Sequence, residues 1–255
     1  MKTFLIRRRS LSLLACAAAV CLMFYVINYP AAVDASASQR QLPIYCVQRD
    51  QKLASVSFDA AWGNEDTQQL IDILERYQVK ATFFVVGDWA DKYPESVKAL
   101  HDAGHEVMNH SNTHAHYPQL SAEEIVADLN ACNDKIEAIT GVRPTLVRLP
   151  YGDYDDNAVR AVRSIGMEPI QWDVDSLDWK EIPAEEIVQR VTGKVQPGSI
   201  VLFHNAALHT PEALPTILET LIQDGYTLVP ISQLILDGEY NTDYTIDHTG
   251  RQCPA

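Results

Sequence analysis

LASVSFDAAWGNEDTQQLIDILERYQVKATFFVV, residues 53–86, holds two β-rich runs with a helical stretch between them. Leu53–Asp59 and Ala81–Val86 are rich in β-branched, aromatic and small residues, and the first ends on a carboxylate. Thr67–Tyr77 has apolar residues at helical spacing. A strand, a helix and a second strand in that order point to parallel pairing through a crossover.

The same alternation continues outward along the chain. Further β-rich runs lie at Glu106–Asn109, Thr145–Leu149, Glu168–Trp172, Ser199–His204 and Tyr226–Val229. Helical patterns fall between them at Pro94–Ala103, Ala122–Thr140, Asn157–Ile165, Ala184–Val195 and Pro211–Gln223. In Ala122–Thr140, residues Ile125, Leu129, Cys132, Ile136 and Ile139 recur every three or four positions, and Ser121 with Glu124 spells a capping box. Gly104, Gly166 and Gly225 each close a helical pattern before a strand. Seven strands separated by helices predict one α/β domain, a (β/α) barrel-like fold with a distorted seven-stranded parallel barrel. In such a barrel, function gathers at the C-terminal ends of the strands.

The flanks read differently. Residues 1–30 contain Lys2, Arg7, Arg8 and Arg9 and no acid, and Leu11–Asn28 is uncharged for eighteen residues. As a helix that run is about 27 Å long, close to a bilayer core. We read 1–30 as a membrane-directed segment, either an uncleaved anchor or a signal peptide cut near Ala35-Ser-Ala37. Both readings put the body outside the cytoplasm, because the arginines stay inside. Residues 31–43 form a tether, 44–239 the domain and 240–255 a C-terminal tail without an apolar period.

The 255 residues are 47% hydrophobic and 21% charged, a globular composition with a core to bury. Net charge is −14; with the basic leader set aside, 16 basic side chains face 34 acidic ones. A body that acidic repels phosphate backbones, so nucleic acid is excluded as a partner. Cys46, Cys132 and Cys253 lie outside the leader, too few and too far apart for a disulfide scaffold or a metal knuckle.

The polar residues at the strand ends carry the chemistry. Asp59 closes the first strand, where an acid serves either to cap a helix or to act as a base. His110-Ser-Asn-Thr-His114 follows the third. Two imidazoles four apart, on one side of a helical turn, can hold a metal or pair by chance. Arg148-Leu-Pro-Tyr151 closes the next strand, and a guanidinium there keeps a neighbouring carboxylate ionised. Trp172-Asp-Val-Asp-Ser-Leu-Asp-Trp179 packs three acids between two indoles, and Leu202-Phe-His204 ends the sixth strand. Tyr151 and Trp179 are either core aromatics or a wall against a sugar ring.

Taken in order, these motifs resemble the polysaccharide deacetylase family, the NodB-homology domain of carbohydrate esterase family 4. The resemblance covers roughly Lys52–Leu236. Ser57-Phe-Asp-Ala-Ala-Trp-Gly-Asn-Glu-Asp-Thr67, with the leader, is most similar to the sporulation-associated PdaB-type branch. The resemblance implies metal-dependent hydrolysis of N-acetyl groups on an amino-sugar polymer such as peptidoglycan. It implies Asp59 as base, Arg148 as its positioning partner, His204 as general acid and Asp178 as the acid tuning it. His110 and His114 would be metal ligands, for zinc or alternatively cobalt or manganese. Tyr151, Trp179 and Leu202 would contact the substrate.

One position departs from the family pattern. The family's second Asp, a metal ligand, is Ala60 here. Glu65, Asp66 or Asp59 itself would have to replace it. Without a replacement, the expectation is a catalytically degenerate glycan-binding or envelope or spore structural protein on the same fold.

Overall fold

The computed structural model describes residues 18–20 and 40–255. Apart from residues 18–20, the expected membrane-directed segment lies outside the described residues, as does most of the tether. Among the described residues no helix is long and apolar enough to cross a membrane. Residues Met1–Arg40 and Gln41–Ala255 form separate units.

The main sheet of the second unit is parallel throughout. β2 (Leu53–Ala60) sits near its middle, flanked by β3 (Thr82–Val85) and β8 (Ile200–His204). Beyond β3 come β4 (Glu106–Asn109), β5 (Leu146–Arg148) and β6 (Glu168–Ile170); beyond β8 comes β7 (Val174–Asp175). β9 (Thr227–Leu228) pairs with the start of β2. The two ends of this seven-strand path, β6 and β7, are consecutive in the chain. In a flat sheet six strand spacings would hold them about 29 Å apart. Only Gln171, Trp172 and Asp173 join them, a link that spans at most about 14 Å. The sheet therefore curls into a nearly closed half-barrel, in agreement with the expected fold.

Side-chain alternation divides β2 between two environments. Ala54, Val56, Phe58 and Ala60 pack outward with Leu70 and Leu74 of α1 (Thr67–Arg76) and Leu214 and Leu218 of α7 (Thr210–Gln223). Phe58 stacks between Phe83 and Phe203, at 4.8 and 5.4 Å. Ser55 and Ser57 place their hydroxyls on the carbonyls of Val229 and Val201. Asp59 follows on their side of the strand. A second layer of Phe84, Met108, Leu146, Ile170 and Ile200 is covered by Ile231 and Leu234.

Helix α4 (Ala122–Thr140) begins with both bonds of the expected capping box. Glu124 N–H donates to Ser121 Oγ at 3.3 Å, and Ser121 N–H donates to Glu124 at 2.8 Å. The intervening helices α2 (Gly87–Lys92), α3 (Pro94–Asp102), α5 (Asp156–Ser164) and α6 (Ala184–Thr192) follow the sequence pattern except α2. That one, at six residues, is too short to show a period.

Residues 240–255 depart from expectation. They contain β10 (Tyr244–Ile246) and β11 (Arg251–Pro254), which form a three-stranded sheet with β1 (Cys46–Val47). Tyr244 is buried and donates its hydroxyl to Glu168, and Gln252 bonds both backbone groups of Leu236. Strands of three or four residues carry no detectable alternation, so the sequence read as a tail.

Candidate active site

Parallel register gathers the strand-end residues at one rim. Asp59 lies beside His204, and Asn109 beside Val147. The next residues along those strands, His110 and Arg148, are therefore neighbours as well. The His110 Nδ1–H donates to the Arg148 carbonyl at 2.7 Å. A carbonyl only accepts, so this bond fixes the tautomer and leaves Nε2 free to face the cleft.

Asp59 is 5% exposed, and its two oxygens have different partners. Oδ1 accepts from Arg148 Nη1 at 2.8 Å, and Oδ2 stands 3.5 Å from His110 Nε2. Arg148 is fully buried, lies over the Phe84 ring at 4.2 Å and donates to the Gln171 carbonyl. Burial pushes the Asp59 pKa up, but the Arg148 guanidinium above all, with the neighbouring imidazoles, outweighs it and holds the carboxyl below its ordinary range. Asp59 is thus an anion at neutral pH.

The opposite wall carries a second acid pair. His204 Nδ1 bonds Asp178 Oδ1 at 2.7 Å, and Trp179 N–H donates to the same oxygen at 2.8 Å. Asp178 Oδ2 accepts from His204 N–H at 2.8 Å and from the Thr210 hydroxyl at 2.7 Å. Burial pulls the His204 pKa down; the hydrogen bond and charge of Asp178, with Asp59 and Asp175, more than offset this and raise it above the usual value.

His110 and His114 come together, but not on a helical turn as expected. They stand in a loop in which Ser111 and His114 both adopt left-handed backbone, at φ 68° and 58°. His114 N–H donates to Ser111 Oγ, closing the loop, and the two rings meet edge to face at 4.9 Å. Burial lowers both pKa values, that of His114 to about 4 with help from His110. Both are neutral at pH 7, the form that binds a metal.

The third ligand is missing. Ala60 is 1% exposed and packed in the outward apolar layer. Of the three proposed substitutes, Glu65 and Asp66 do not reach the histidines: Asp66 Oδ2 accepts from Ala206 N–H, and Glu65 lies against Gly63. Asp59 turns Oδ2 toward His110 Nε2, at 3.5 Å, but is held through Oδ1 by Arg148. Among the described residues no three His, Cys, Asp or Glu side chains form a group able to hold a metal. The donor set is therefore two imidazoles, short of the three protein ligands usual for catalytic zinc.

A cleft of about 440 Å³ opens over these groups, lined by Asp59, His110, His114 and His204 and walled by Tyr151, Trp172, Trp179 and Leu202. Tyr151, in left-handed backbone at φ 61°, is wedged between the edge of His114 at 4.4 Å and the face of His116 at 4.0 Å. Gly152 beside it is required: its φ is 67°, and a Cβ there would meet Trp172 at 2.9 Å. Arg148 and Asp178 sit behind the cleft surface, each acting through the residue it holds. Residue pattern alone did not single out Trp62, whose ring lies 5.6 Å from that of His204, or Thr210, which holds Asp178. Trp62 stands in the Ala-Ala-Trp-Gly run next to Asp59 and could have been flagged by that position.

Comparison with known proteins agrees with this geometry. The polysaccharide deacetylase family profile matches residues 47–170. The peptidoglycan-N-acetylmuramic acid deacetylase PdaC of Bacillus subtilis is 37% identical over 188 residues, 74% of this chain and 40% of that one. A solved structure of PdaC aligns with a TM-score of 0.67 at 38% identity, covering 74% of this chain and 92% of the solved one. BA3943 of Bacillus anthracis, described as a carbohydrate esterase family 4 pseudoenzyme, aligns with a TM-score of 0.73 at 36% identity, covering 76% and 69%. A BA3943 mutant described as having restored enzymatic activity aligns at 0.74 and 38%, covering 76% and 71%. The chain spans less than two thirds of the curated relatives PdaC and YlxY, at 40% and 60% of their lengths. With its strand-end motifs assembled on one rim of a curled parallel sheet, the chain belongs to the polysaccharide deacetylase family.

Proposed function

We propose that this protein is a peptidoglycan N-deacetylase, hydrolysing the N-acetyl group of an amino sugar held in the cleft outside the cytoplasm. One observation carries the reading. Two acid–base pairs, Asp59–Arg148 and His204–Asp178, face each other from neighbouring strands in opposite protonation states. Asp59, kept anionic by Arg148, takes a proton from the attacking water through Oδ2. His204, kept protonated by Asp178, gives a proton to the departing amine. Amide hydrolysis needs both transfers, and neither pair has an evident purpose in a purely structural barrel. Tyr151, Trp179 and Leu202 supply apolar contact to the sugar and its acetyl methyl.

Family members are generally divalent-metal dependent, and when bound such an ion polarises the carbonyl and acidifies water. Here His110 and His114 would be its ligands. With Ala60 in place of a third, the set is incomplete, and zinc, cobalt or manganese would bind weakly. We infer that this weakness limits turnover.

Ala60 also favours a second reading, a degenerate member that binds glycan without hydrolysing it. The pseudoenzyme BA3943 is a precedent among its relatives. Acetate release from peptidoglycan and N-acetylglucosamine oligomers, with each metal added, separates the two. Release that disappears in Asp59→Asn and His204→Ala supports the deacetylase. Glycan binding with no acetate under any metal supports the degenerate reading.

A further inference from the structure

Strands β2 and β8 carry the two proton-transfer residues, and their main-chain pairing ends just beyond them. Asp59 and His204 are the last residues in register, and the Asn205 N–H donates to the Asp59 carbonyl at 3.0 Å. Past this point the chain leaves β2 through Ala61, Trp62 and Gly63, and leaves β8 through a turn at Asn205 and Ala206. The Asn205 side chain bridges the two departures. Its Oδ1 accepts from Ala61 N–H at 3.1 Å, and its Nδ2 donates to the Gly63 carbonyl. A carboxamide offers an acceptor and donors as a peptide group does, so this side chain adds one more rung where the backbones have parted. The two residues it binds flank Trp62, whose half-exposed ring lies 5.6 Å from that of His204. We propose that Asn205 is a positioning residue, which fixes Trp62 over the His204 imidazole and locks the strand end of the base to that of the acid. The assignment rests on Asp59 and His204 having those roles.

Both ends of this bridge are tied to the body of the protein as well. Asn205 is 2% exposed, and both polar atoms of its amide are bonded. The Gly63 carbonyl also accepts from Trp89 Nε1 of α2, at 3.0 Å. On the other side, Ala206 adopts left-handed backbone at φ 55°, a costly conformation for a residue with a Cβ. Its N–H bond to the buried Asp66 carboxylate, at 2.9 Å, holds it there. Asp66 thus pins the turn in which Asn205 stands. A saturated buried amide and a strained residue directly follow His204, where a displacement of about 1 Å is enough to slow a proton transfer.

Three variants of the full chain test the assignment, with thermal melting to confirm that each is folded. Asn205→Ala removes both side-chain bonds and keeps the main-chain one. Ser55→Ala loses a hydroxyl bond to Val229 at the opposite end of β2 and is the control for a purely structural loss. Trp62→Leu removes the indole. In acetate release from N-acetylglucosamine oligomers, Asn205→Ala should lower kcat at least about ten-fold with a smaller change in KM, and Ser55→Ala should leave both unaltered. Proton NMR of the His204 ring reads the same geometry without turnover, because the ring current of Trp62 shifts its resonances. Asn205→Ala should move them toward their positions in Trp62→Leu, whereas Ser55→Ala should not. Resonances that stay at the parent positions in Asn205→Ala, or an unaltered kcat while they move, overturn the assignment and leave the deacetylase reading intact. A parent that releases no acetate with any metal overturns that reading instead, and the NMR comparison alone then decides whether Asn205 holds Trp62 over His204.

Discussion

Replacing Asp178 by Asn removes a charge while keeping the shape, and the surrounding donors set the outcome. Asp178 Oδ1 accepts from Trp179 N–H and His204 Nδ1; Oδ2 accepts from His204 N–H and the Thr210 hydroxyl. The Asn oxygen would keep the first pair, since neither donor can turn away. The amide nitrogen would then replace Oδ2. Thr210 can rotate its hydroxyl and accept, but the His204 backbone N–H would face another donor. One unpaired buried N–H, plus a charge-assisted bond reduced to a neutral one, costs about 2–4 kcal/mol. Urea unfolding near pH 6 should measure this loss. The proton on His204 gives a sharper readout. In the parent its pKa lies above the ordinary value of about 6.5, because Asp178 overcomes burial. In Asp178→Asn burial remains and the largest opposing contribution is gone, with only Asp59 and Asp175 left to raise the His204 pKa, which should therefore fall below the parent's. The stability contribution follows the raised pKa. In the parent it is complete below about pH 6.5 and declines as pH rises through the folded-state value. In the variant the smaller elevation should leave a weaker loss of stability with rising pH. A proton NMR titration of the His204 ring checks this directly. An unchanged His204 pKa in Asp178→Asn would refute the claim that Asp178 holds the proton there.

Arg148→Met should destabilise the fold by about 3–5 kcal/mol, because it leaves the Asp59 carboxylate buried without its partner. In the parent the depressed Asp59 pKa gives stability present above about pH 3.9 and lost as pH falls through the folded value. In Arg148→Met that carboxyl should protonate more easily, so the deficit in denaturation midpoint should shrink as pH is lowered from about 7 to about 5. Zinc should bind the parent weakly in calorimetry, and His110→Ala should abolish that binding. Without metal, Ala60→Asp should cost about 1–3 kcal/mol in melting experiments, because position 60 packs in an apolar layer. Deleting residues 240–255 should destabilise by about 3 kcal/mol or more through loss of buried Tyr244 and Ile246. A truncated chain with the parent's urea midpoint would restore the view of that segment as a tail.

The elements written in the sequence are those specified by residues close together in the chain. Helix α4 starts at Ser121 and ends at Gly141 because the capping box and the left-handed glycine act within one turn. The β-rich runs and the carboxylate, imidazole and guanidinium at their ends were legible for the same reason. Tertiary structure decided whatever depends on register between distant strands. It placed Asp59 against Arg148, 89 residues away, and gave Asp178 to His204 and Thr210. It drew His110 and His114 together through a left-handed loop instead of a helical turn. It turned Ala60 to the outer layer and engaged Asp66 with Ala206, leaving two imidazoles where the motif suggested a fuller set. It also recruited residues 244–254 as strands too short to announce themselves. Periodicity and capping are properties of one segment and its own backbone. A site is a meeting of side chains whose separation in space is set by the curl and register of the whole sheet.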